Sequence, residues 1–242
     1  MRRALTFALV LSIAAPYVAS AQQVSASLRF RIRPWPDAVI VGTTAAATLL
    51  PVLWPNGFAH ATCAPCDPSH LWGMDRGSVG PVRAAANTFS YGTSAAEAGL
   101  GLLFLGLSRR GEAPAAFWED AAVVTQAVSV TAVATMALKV LLHRPRPLMY
   151  QPGPFTPDDG RGFPSSHTSI SFAVASAYAS ILSRRGMADR HKLEIATLFA
   201  VAAATGALRV VAREHFPTDV VAGAVLGLGV GWLVPKLHAT LP

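Results

Sequence analysis

Six apolar blocks rich in Ala, Val, Leu and Gly punctuate the chain, at roughly 38–54, 93–107, 120–142, 168–182, 193–212 and 218–234. Polar and charged residues gather between them. A helix that crosses a bilayer needs about 17–25 apolar residues. The third and fifth blocks meet that length, and the first, second and fourth are marginal. The pattern predicts an all-α, six-helix bundle embedded in a membrane, with a soluble bundle of unusually apolar helices as the alternative. Residues 151–162, rich in Pro, Gly and Asp, read as the clearest loop.

Composition supports the membrane reading. Hydrophobic residues make up 52% of the 242 and charged residues only 14%, where soluble chains carry about 25% charge. The net charge of +7 fits an anionic membrane or an anionic substrate. Nucleic acid is excluded, because the chain has no long Lys/Arg run, zinc-finger spacing or aromatic RNA-binding signature.

The first residues read as a secretory signal: Arg2 and Arg3, a mostly apolar stretch from Ala4 to Ala15, and Ala19-Ser20-Ala21 as a cleavage site. An uncleaved anchor is the alternative. The expected organisation is a signal over 1–21, an N-terminal segment over 22–92 and a core over 93–242. Cys63 and Cys66 cannot by themselves make a four-ligand zinc site. In an oxidising compartment they are expected to close a small disulfide loop.

Loop charge sets the orientation. Arg109 and Arg110 follow the second block, and Arg184, Arg185, Arg190 and Lys192 follow the fourth. These loops share one side of an up-and-down bundle, and the positive-inside rule makes that side cytoplasmic. Loops 55–92, 143–167 and 213–217 then face outward. Crossing parity conflicts with this. After a cleaved signal, or after an uncleaved anchor, six full crossings place loop 143–167 inside. Two resolutions stay open. Block 38–54, which ends near Pro51 and Pro55, does not fully cross; or the N-terminal stretch neither is cleaved nor spans, and Arg29, Arg31 and Arg33 stay inside.

Three polar clusters sit where an apolar bundle should not tolerate them. Lys139 is followed by His143, Arg144 and Arg146. Ser165, Ser166 and His167 open the fourth block behind Pro164. Arg209 is followed by Glu214, His215 and Asp219. A buried Lys or Arg at mid-membrane costs about 2.5–3.5 kcal/mol. An antiparallel bundle brings the three clusters to one rim, where Lys139, Arg146 and Arg209 surround one point. Such a point calls for an anion, and phosphate fits. A helix opening at Ser165-Ser166-His167 offers free backbone N–H groups to that anion. Asp219, four residues beyond His215, can hold one ring nitrogen so that the other attacks phosphorus. His167 then serves as general acid. Asp158 and Asp159 read as solvated loop acids rather than metal ligands, and no metal or other cofactor is expected. Glu97 receives no role.

The residues also resemble those of the type 2 phosphatidic acid phosphatase (PAP2) superfamily. Its KxxxxxxRP motif corresponds to Lys139–Pro147, its PSGH to Pro164–His167, and its SRxxxxxHxxxD to Leu208 through Asp219. Ser166 replaces the motif glycine and Leu208 the motif serine. The resemblance implies a six-helix core over roughly 115–235, with Lys139, Arg146, Ser165, Ser166 and Arg209 on phosphate. It implies His167 as acid and His215 with Asp219 as the nucleophile pair. The implied activity is hydrolysis of a lipid-borne phosphate monoester or pyrophosphate, with lipid phosphate and membrane lipids as partners. The expected place is the bacterial inner membrane, with the site facing the periplasm. A soluble periplasmic acid phosphatase, a vanadate-dependent haloperoxidase and a non-enzymatic polytopic protein are the alternatives.

Overall fold

The computed structural model describes residues 30–54, 58 and 63–240. The expected signal over 1–21 lies outside them. Among the described residues the fold is all-helical: α1 (Pro34–Leu53), a single turn α2 (Gly73–Arg76), α3 (Ala84–Ser108), α4 (Pro114–Leu142), α5 (Ser166–Arg184), α6 (Lys192–Val211) and α7 (Pro217–His238). The six long helices correspond to the six apolar blocks.

Local chemistry sets the boundaries. α1, α4 and α7 each open with proline in the first turn, where its fixed φ is suited and its missing N–H costs nothing. α4 stops at His143, whose φ of 45° turns the chain left-handed, immediately before the Arg144-Pro145 pair. α3 begins at Ala84, well before the apolar block at 93, because Ala84-Ala85-Ala86 is a strong helix former. The boundary expected between 92 and 93 therefore falls inside a helix.

Four helical segments are long and apolar enough to cross a membrane: Pro34–Leu53, Pro114–Tyr150, Ala188–Val211 and Pro217–His238. Large apolar side chains such as Leu53, Leu103, Val221, Val225 and Leu237 line the bundle's outside, as lipid contact requires. α5 differs. It runs through the centre, and most of its residues, including Ser169, Ser171, Ser176 and Ser180, are buried. It packs most closely against α7, where Gly223, Gly227 and Gly231 meet its backbone. A Cβ at Gly223 would stand 2.7 Å from the Ser165 carbonyl oxygen. Small residues at such spacing let helices approach in a membrane, where packing replaces the hydrophobic effect.

The chain path bears on the parity conflict. Phe30 lies at the end of the bundle opposite the three polar clusters, under the Arg185 guanidinium at 4.7 Å and packed with Val123, Ile181 and Val234. α1 leaves that end and reaches the other, where the Pro51 carbonyl accepts from Arg161 at 3.1 Å. Its 20 residues extend about 30 Å, long enough to cross. Residue 30 shares its end with the loops carrying Arg109 and Arg185, as the second resolution requires.

Candidate functional site

Three chain turns meet at the end of the bundle reached by α1. The turn after α4 brings Arg144 and Arg146, and its Arg146 N–H donates to the Asp159 carbonyl at 2.8 Å. The loop before α5 delivers Ser165, whose N–H donates to the Asp219 carbonyl at 3.0 Å. The turn between α6 and α7 carries Arg213, at a left-handed φ of 58°, then Glu214 and His215, whose N–H groups both return to the Arg209 carbonyl.

His215 is 1% exposed. Its Nδ1 stands 3.5 Å from Asp219 Oδ2, longer than a hydrogen bond of about 2.7–3.2 Å, a gap that unliganded catalytic pairs commonly show. Asp219 is fixed from two other sides: Oδ2 accepts the Phe216 N–H at 2.9 Å, and Oδ1 accepts from Arg144 at 2.5 Å. The first of these also caps α7. Burial holds the His215 imidazole well below the ordinary histidine pKa, and the nearby Lys139, Arg146, Arg209 and His167 act in the same direction. The ring is therefore neutral at pH 7, the form in which it can attack phosphorus. Arg146 and Arg209 share Glu214, and Tyr91 lies against both Arg209 and His167, so the three clusters meet at this end.

The cations are held but not saturated. Arg209 is 1% exposed. It donates to Asn87 Oδ1 at 2.6 Å and Ser90 Oγ at 3.0 Å, and pairs with Glu214 at 3.2 Å. Arg146 forks onto Glu214 and Asp158. Each of the two guanidiniums nevertheless keeps a buried Nε–H with no protein partner among the described residues. Lys139 Nζ spends one bond on the Arg161 carbonyl, at 2.6 Å, out of the three an ammonium can donate. Such spare donors, buried at 4% exposure or less for Lys139 and Arg209, are costly without an acceptor. At the start of α5, Ser165 is buried and its Oγ accepts from Thr168 at 3.0 Å. Ser166 opens the helix, where backbone N–H groups lack a partner one turn back.

His167 packs edge-on against Tyr91, with ring centroids 4.7 Å apart, and Tyr91 also lies beneath Arg209 at 5.6 Å. Tyr91, Asn87 and Ser90 come from the first two turns of α3, a stretch without a recognisable motif. Asp75 and Glu214 also escape a reading by motif. Glu214 did carry a signal, standing next to His215 inside the third cluster. Asp75 and Tyr91 carried none, because only tertiary packing brings them here. Asp158 is an exposed loop acid, as expected, but Asp159 is buried. Asp158 pairs with Arg146 and Arg161, and the Asp159 carboxylate accepts from the Thr156 N–H and hydroxyl, closing a capping box on the turn Pro157–Gly160. Cys63 and Cys66 form a disulfide outside this centre. Its loop is docked through Cys66 N–H to the Met149 carbonyl at 2.8 Å.

The fold is similar to a solved structure, the first transmembrane PAP2 type phosphatidylglycerolphosphate phosphatase from Bacillus subtilis. The two chains are 19% identical, with a TM-score of 0.50 over 84% of this chain and 94% of that one. No curated protein matches the sequence. The model of the PAP2 superfamily matches residues 121–241, half of the chain and the half that carries all three polar clusters, so the chain belongs to the PAP2 superfamily.

Proposed function

We propose that this protein is a membrane phosphatase that hydrolyses a lipid-borne phosphate monoester or pyrophosphate through a phosphohistidine on His215, without a metal. The observation that carries the reading is the convergence of Arg146 and Arg209 on Glu214, with Lys139 buried and bonded to the Arg161 carbonyl rather than to a carboxylate, beside a neutral, buried imidazole. A tetrahedral phosphate would accept from both arginines, from Lys139 and from the N-terminus of α5. Four membrane-length helices support a substrate delivered from the bilayer, and the Bacillus subtilis neighbour is a phosphatase of that kind.

In the reaction, Asp219 at Nδ1 leaves Nε2 of His215 to attack phosphorus as the bond to the leaving oxygen breaks. His167 protonates that oxygen. It then takes a proton from water, which attacks the phosphohistidine and releases inorganic phosphate. The cations stabilise the equatorial oxygens throughout. The proposed orientation sets this end of the bundle outside the inner membrane, with the Arg109 and Arg185 end in the cytoplasm.

The test is phosphate release from a panel of purified lipid phosphates by protein in detergent, with EDTA present. Turnover should persist in EDTA. His215→Ala should lose on the order of 10⁴-fold or more in kcat and should no longer form the acid-labile phosphoenzyme. Normal turnover by His215→Ala removes the nucleophile assignment, and loss of activity in EDTA removes the metal-free mechanism.

A further inference from the structure

Asp75 lies on α2, in the loop behind the Cys63–Cys66 disulfide, and is fully buried. A carboxylate in that position is expensive unless its oxygens are satisfied. Here three donors satisfy them. Oδ2 accepts from Arg144 Nη2 at 2.7 Å and from the Thr218 hydroxyl at 2.7 Å. Oδ1 accepts from the Thr218 N–H at 3.2 Å, one of the first-turn donors of α7. The other arm of the same arginine, Nη1, donates to Asp219 Oδ1 and to Thr218 Oγ1. Arg144 also stacks over the Phe216 ring at 4.8 Å, which fixes the plane of its fork.

We propose that Asp75 is a positioning residue for the reaction: through the forked guanidinium of Arg144 it fixes the carboxylate of Asp219 and thereby the ring of His215. The inference rests on the phosphohistidine reading above and extends it to a loop in which no motif is recognisable. Two features of the geometry carry it. Arg144 is shared between two carboxylates, so Asp75 draws part of its charge away from Asp219 and leaves Asp219 a better partner for the His215 Nδ1–H. Thr218 is bound by Asp75 through both its backbone and its side chain, and it adjoins Asp219 at the start of α7, so the same contact sets where that first turn begins. A Lys at 144 would keep the charge but could not fork.

Asp75→Asn keeps the shape and removes the charge. Its kcat should fall about 10- to 100-fold, the usual cost of losing an outer carboxylate partner, with KM within about twofold because no phosphate ligand is touched. In an Asp219→Asn background the same change should cost nothing further, since Asp75 acts through Asp219. An equal loss in both backgrounds, or no loss in either, overturns the proposal. Arg144→Lys supplies the same answer if Asp75→Asn does not fold: it should lower kcat with little change in KM, and an unchanged kcat overturns the proposal. His215→Ala on the same substrate separates the two readings, because its retained turnover would remove the nucleophile and leave these variants to be judged by kcat alone.

Discussion

At the far end of the bundle, Arg109 and Arg185 converge on Asp120 at 2.8 and 2.6 Å, and Glu112 binds Nη1 of Arg109 at 2.9 Å. At the site end, Arg146 and Arg209 converge on Glu214. The residue types are the same and the charge balance is not. Two arginines meet two carboxylates at the far end. At the site end Lys139, Arg146, Arg161 and Arg209 meet only Glu214 and Asp158, while Arg144 alone faces both Asp75 and Asp219. Positive charge is left over around the site, and negative charge is concentrated behind the Nδ1 of His215. The far cluster ties α3, α4 and α5 together and balances its charge. The site cluster is left with the positive surplus that the proposed phosphate would neutralise.

The largest expected effects separate the two ends. Lys139→Met should lower kcat about 10²- to 10³-fold, as loss of one preorganised donor to a transition-state oxyanion does. It should not lower the unfolding temperature, because it removes a buried charge that no protein carboxylate neutralises directly. Asp120→Asn should do the reverse. It takes a shared carboxylate from two buried arginines, at a cost of about 3–5 kcal/mol in stability, while the folded fraction keeps its kcat. Thermal unfolding and phosphate release in the same detergent measure both. If Lys139→Met destabilises as Asp120→Asn does, the site cluster is a structural clamp like its counterpart and the contrast fails.

A smaller effect probes how far Glu214 resembles Asp120. Both bridge two arginines, but Glu214 shares its pair with an incoming phosphate. Glu214→Gln enlarges the positive surplus, so inorganic phosphate should inhibit about tenfold more strongly, a gain of ~1.4 kcal/mol. KM should fall in the same direction, with a slower kcat as product leaves less readily. Weaker phosphate inhibition would instead make Glu214 a brace without which the two guanidiniums do not point at the ligand.

The helices were legible because each is an apolar block bounded by proline or charge. α3 was the least legible. Asn87, Ser90 and Tyr91 break its apolar pattern, and the structure shows that they do so because they serve Arg209 and His167. The site was legible wherever chemistry is concentrated in sequence, at Lys139 to Arg146, Ser165 to His167 and Arg209 to Asp219. Asp75 could not be read, since it meets its partners across 69 and 143 residues of chain. Loop charge was legible only in sum. Arg109 and Arg185 are buried and paired, so Arg110, Arg184, Arg190 and Lys192 carry the orientation argument.

The mildest expected effect changes no rate and reads the orientation directly. Arg33, Arg110 and Trp72 are exposed, the first two at the far end and the third beside α2 at the site end. Single cysteines at these positions should not perturb packing. In intact spheroplasts a membrane-impermeant maleimide should label Trp72→Cys, and should reach Arg33→Cys and Arg110→Cys only after the membrane is opened. Labelling of Arg33→Cys together with Trp72→Cys would mean that α1 does not cross, against the path from Phe30 to Pro51. Labelling of Arg110→Cys with Trp72→Cys protected would invert the protein and put the site in the cytoplasm.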